Sequence, residues 1–187
     1  MFSRPALQSR FVFSACALAA ETLHLGWEYT HGGVVAHHLL ANPELPSISN
    51  WWGLLVVPLL VWFLVARIQN RAATLVQAGS RERFHRLVLI RFTVALLWGA
   101  ALTLAFTLGH PAVSFIFFGA FAAGLVVHAY RAEYVLGFAL GMTFTFGAVL
   151  PVLVAAIVAG CSFAVHLLAG AVLRLVRGGR TRGAGLP

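Results

Sequence analysis

From Val135 to Leu173 the chain carries no charged side chain. A single straight helix over that run would reach ~58 Å at ~1.5 Å per residue, far more than the ~30 Å hydrocarbon core of a bilayer. The run must fold back. The expected corner is Gly147 to Pro151, because proline removes a backbone donor and restricts the residue before it. Apolar runs of spanning length recur upstream, and the full set of candidate spans is 9–30, 51–68, 87–108, 112–129, 132–149 and 152–175. The fold class they predict is all-α: a polytopic membrane bundle of six transmembrane helices over residues 1–176. A Gly- and Arg-rich tail over 177–187 is expected to be disordered.

Composition agrees. The chain of 187 residues is 60% hydrophobic and 10% charged, against ~25% charged in a typical soluble domain. That excludes a soluble enzyme, a disordered chain and a disulfide-stapled secreted domain. Cys16 and Cys161 lie inside apolar runs, without CxxC spacing, and read as small buried hydrophobes.

The formal net charge is +8, and all 13 basic residues are arginine. No nucleic-acid partner is expected, because the arginines sit beside long apolar runs, where anionic lipid headgroups are the natural partner. Arg4 and Arg10 precede the first span. Arg67, Arg71, Arg81, Arg83, Arg86 and Arg91 surround the second connection, Arg131 marks the fourth, and Arg174, Arg177, Arg180 and Arg182 close the chain. With six spans and both termini cytoplasmic, all fall on the cytoplasmic side. Trp27, Tyr29, Trp51 and Trp52 then fall at the outer interface, and Tyr130 and Tyr134 at the inner one. Arg91 and Arg131 would snorkel to lipid phosphate, and Glu133 would be a surface acid beside them. The expected location is a bacterial inner (plasma) membrane. A competing reading makes residues 1–20 a cleaved signal peptide, leaving five spans. The apolar character continuing through Leu23, Leu25 and Trp27 favours a retained helix.

The functional signal is a polar stripe on the first span. Glu21, His24, Glu28 and His31 are spaced three, four and three apart, which at ~100° per residue places them on one helix face. Ionisable residues on a spanning helix must look into the bundle or into a hydrated cavity. Glu-x-x-His occurs twice, a pattern that di-iron carboxylate bundles use for metal binding, but here both copies share one helix. A mononuclear zinc, iron or copper site is easier to build. Its candidate ligands are Glu21, His24, Glu28, His31, His37, His38 and His110, all in the outer half, with no basic residue from Phe11 to Ala66 to repel a cation. Glu44 reads as an exposed loop acid, and His85 as an exposed histidine in the basic inner loop.

Three functions follow. The first is a metal-dependent membrane enzyme acting on a lipid-like or apolar substrate, with Glu21 as general acid or base. The second is a proton or metal-ion transporter or channel. The third is a non-catalytic subunit or assembly factor of a membrane complex, or a homo-oligomer. The competing account of the stripe is a structural hydrogen-bond network between helices. His128 and His166 lie at matching depths, ~24 and ~21 Å from the outer surface, and a b-type haem held between them is a lesser possibility. Gly137 and Gly141 form a GxxxG that favours close helix packing.

Overall fold

In the computed structural model, residues 4–38, 42, 44, 46–75 and 81–183 are described. Six helices account for nearly all of them: α1 Arg4–Thr30, α2 Gly53–Leu75, α3 Arg81–Thr107, α4 Val113–Val126, α5 Ala132–Phe146 and α6 Val149–Gly183. The connection between α1 and α2 holds an antiparallel pair of short strands, β1 Ala36–His38 and β2 Ser47–Ser49, with His37 opposite Ile48. A single 3₁₀ turn, Asn50–Trp52, leads from β2 into α2.

The expected corner is present. α5 ends at Phe146, Gly147 turns the chain with φ 65°, and α6 begins at Val149 with Pro151 in its first turn. Proline is tolerated there because the first turn's N–H groups have no intrahelical acceptor. Among the described residues, three helices are long and apolar enough to cross a membrane, over Asn50–Thr74, Arg81–Thr107 and Val149–Val176. α4 and α5 are apolar but have 14 and 15 residues, ~21 to ~23 Å in length. α1 has 27 residues, but its apolar character is interrupted by Arg10, Glu21 and Glu28. α6 runs to Gly183, past the point at which composition predicts an unstructured tail.

α5 packs into the core of the bundle. Its Phe138, Ala139 and Met142 form one buried cluster with Ala95 and Leu102 of α3 and Ala155 of α6, and its Leu136 is also buried. α3 and α5 run parallel and approach closely. A Cβ on Gly137 would strike the carbonyl oxygen of Phe92, and one on Gly141 that of Leu96. Gly99 answers from α3, where a Cβ would lie 2.6 Å from the carbonyl oxygen of Phe138. The GxxxG of α5 is therefore a backbone-to-backbone seam, completed by a third glycine on its partner.

One expectation is corrected. Cys16 and Cys161 are free thiols on the bundle's outer surface rather than buried, since a spanning helix needs apolar residues toward lipid as well as inward. Tyr130 and Tyr134, expected at the inner interface, are half-buried.

Candidate functional site

The polar stripe is assembled only in part. Glu21, His24 and Glu28 lie in file on α1: His24 Nδ1 is 4.0 Å from Glu21 Oε2, and its Nε2 is 3.6 Å from Glu28 Oε1. Both distances exceed a direct hydrogen bond. The His24 ring lies 4.8 Å from that of Phe144 on α5. Glu21 is 4% exposed, and its Oε1 lies against Gly53 at the start of α2 without a hydrogen-bond partner. Only glycine at position 53 leaves room for that carboxylate.

Glu28 is the anchor of the outer connection. Its Oε1 accepts from Asn50 Nδ2 at 2.7 Å, and its Oε2 accepts from the Val35 N–H at 3.2 Å. Its carbonyl accepts from the N–H groups of His31 and Gly33. Asn50, which sequence reasoning missed, is 3% exposed. It also donates its own N–H to the Val35 carbonyl at 2.9 Å, and its Oδ1 rests against Gly147. One side chain thus ties α1, the start of α2 and the α5–α6 corner together. An asparagine beside two tryptophans was the available signal, but nothing local marks it as buried.

The remaining expected ligands do not join this file. α1 ends at Thr30, one residue short of His31, so the helical spacing no longer governs it. The His31 ring stacks on Trp27 at 3.6 Å and its Nδ1 lies 2.9 Å from the Trp27 carbonyl. His37 and His38 are neighbours on β1, where successive side chains face opposite sides; His37 is half-buried and His38 exposed. His110 is exposed in the α3–α4 turn, its Nδ1 accepting from the Ala112 N–H at 3.1 Å. Among the described residues no group of three or more His, Cys, Asp or Glu side chains could hold a metal ion. The described residues therefore give the expectation of metal binding no support.

At the other end of the bundle lies a second polar centre, also missed. Glu133, expected at the surface, is wholly buried. Arg71 of α2 donates to both its oxygens at 3.0 Å, and Arg91 of α3 donates to Oε1 at 3.2 Å. Arg91 therefore pairs inward rather than reaching for lipid phosphate. The need of a buried carboxylate for a cation could have suggested the pairing.

His128 and His166 do meet, with ring centroids 4.1 Å apart. Rings in direct contact leave no space for a macrocycle between them, which corrects the haem expectation. His166 Nδ1 lies 2.8 Å from the Ser162 carbonyl. Ser162 Oγ donates to the Val127 carbonyl at 3.1 Å and accepts from the Ala129 N–H at 3.0 Å. The contact thus belongs to a clasp holding the α4–α5 turn against α6.

Comparison with protein-family models, curated proteins and solved structures found no match.

Proposed function

We propose that the chain is a six-span membrane protein with both termini cytoplasmic, and that it is a proton transporter or channel. The observation that carries this reading is the Glu21–His24–Glu28 file with its buried terminal carboxylate. Three titratable groups in file, at separations of 4.0 and 3.6 Å that a small shift or a bridging water would close, offer a path for a proton from the outer connection into the bundle. At its inner terminus, Glu21 sits between α1 and the start of α2. A change in its charge therefore changes how those two helices attract one another. The Arg71–Glu133–Arg91 cluster closes the opposite end.

The orientation follows from where the charges gather. Arg10 donates to Gln69 of α2 at 2.7 Å. That contact puts Arg10 at the same end as Arg71, Arg91 and Arg131. Trp27, Trp51 and Trp52 are exposed at the opposite end. An arginine-rich end facing the cytoplasm and aromatic residues at an interface are the usual membrane arrangement.

Reconstituted protein under an imposed pH gradient tests the reading. Proton flux should be present in wild type and fall at least tenfold in Glu21→Gln and in His24→Gln. Wild-type vesicles that hold the gradient as well as empty ones, or flux indifferent to both substitutions, would dispose of it.

A second reading, a subunit of a membrane complex, is favoured by α6. Its 35 residues reach ~52 Å, beyond a ~30 Å core, and Leu167, Leu168, Leu173, Leu175 and Val176 are all exposed. Purification in mild detergent with a stoichiometric partner would support it over the first.

A further inference from the structure

Below the Glu133 cluster the bundle opens into a cavity of about 530 Å³, lined by Arg67, Asn70, Arg71 and Thr74 of α2 and by Tyr130 and Arg131 of the α4–α5 turn. Its chemistry is one-sided. Three of its lining residues are arginines and none is acidic, while the carboxylate of Glu133 is already engaged by Arg71 and Arg91. Neither Arg67 nor Arg131 has an ion-pair partner among the described residues. Asn70, Thr74 and Tyr130 supply polar residues to the same lining, the Thr74 hydroxyl donating to the Arg71 carbonyl at 2.9 Å.

We propose that this cavity is a binding site for a phosphate-bearing anion. Several guanidinium groups with planar, divergent donors suit a tetrahedral anion better than a single cation could. The first residue of α5, Ala132, also lines the cavity, and the Arg131 side chain does not cap the helix. A cavity of this size exceeds what bare phosphate fills and admits an organic substituent. The fixed placement of Arg71 by Glu133 orders one donor before the ligand arrives, which lowers the entropy cost of binding. This inference does not rest on the proton-transport reading, since it uses none of the residues on α1.

Two sources would present this group: the headgroup of an anionic lipid, or a soluble phosphate monoester. The probes are glycerol 3-phosphate, added to full-length protein in neutral detergent, and phosphatidic acid mixed with phosphatidylcholine in bilayer discs. The variants are Arg67→Gln and Arg131→Gln, with Arg83→Gln as a control of equal charge change at an exposed position outside the cavity. Each cavity variant should keep the wild-type melting temperature and lose about tenfold in affinity, the usual worth of a hydrogen bond to a charged group.

Saturable binding of glycerol 3-phosphate, weakened by both cavity variants and not by the control, supports a soluble source. Enrichment of phosphatidic acid over phosphatidylcholine with the same variant pattern, and no response to glycerol 3-phosphate, supports a lipid source. Absence of both, or a loss as large in Arg83→Gln as in the cavity variants, overturns the proposal in favour of diffuse surface charge.

Discussion

Arg71 of α2 and Glu133 of α5 form a two-pronged ion pair, with both guanidinium nitrogens 3.0 Å from a carboxylate oxygen and the acid fully enclosed. Arg91 reaches the same acid through one contact of 3.2 Å. The two arginines are therefore unequal. Arg71→Met leaves the buried carboxylate with one remaining arginine, held by a single contact, and should lower stability by about 3 kcal/mol. Arg91→Met leaves the forked pair intact and should cost about 1 kcal/mol. Thermal unfolding in detergent reads the difference, and the reverse ranking would assign the main partnership to Arg91.

The α3–α5 seam makes a separate prediction. Gly141→Ala adds a methyl group where the Leu96 carbonyl oxygen already lies, and where Ala100 N is 2.9 Å away. Backbone atoms cannot turn aside as a side chain would, so the helices must part. The expected loss is about 1–3 kcal/mol, the range for overpacking. Gly170→Ala is the counterpart: nothing lies within 4 Å of its added Cβ, so that variant should melt at or slightly above the wild-type temperature.

These contrasts show what was legible in the sequence. The helices and the Gly147 corner were, because long apolar runs delimit helices and glycine and proline punctuate the chain. The Gly137–Gly141 motif was visible, but its answering Gly99 was not, since the pairing of α3 with α5 is a tertiary fact. The Glu21–His24–Glu28 file was read from helical spacing and stands. His31 was misplaced because the helix ends at Thr30, where the Gly32 and Gly33 turn takes over. Glu133 looked like an interface acid because its neighbour Arg131 is adjacent in sequence. Its actual partners come from two other helices, which no local pattern reveals.

Asn50 should prove more important than its place in an exposed connection suggests. Asn50→Ala removes the 2.7 Å donor to Glu28 and should lower stability by about 1–3 kcal/mol. Asn50→Asp keeps the shape but sets a second carboxylate against the first. When both are ionised they repel, so this variant should lose stability relative to wild type as pH rises, and recover at acid pH where one carboxyl holds a proton to share. Melting curves across pH 4–8 (about the range in which carboxyl pairs titrate) check the sign. A variant whose deficit is the same at every pH would mean that Glu28 and position 50 are not in contact.

Topology can be tested with single cysteines in a background carrying Cys16→Ala and Cys161→Ala. Ser47, in β2, and Arg83, near the start of α3, are both exposed and separated by α2. If α2 crosses the bilayer, Ser47→Cys and Arg83→Cys must react with a membrane-impermeant thiol reagent from opposite sides of sealed vesicles. The orientation argued from the arginines places Arg83→Cys on the cytoplasmic side. The native thiols provide the complementary measurement. Cys16 and Cys161 are exposed on helix surfaces, so in a bilayer they should resist a charged reagent and react with an apolar one. Rapid labelling of Cys16 by the charged reagent in intact vesicles would remove α1 from the hydrocarbon, and with it the path from the outer face to Glu21.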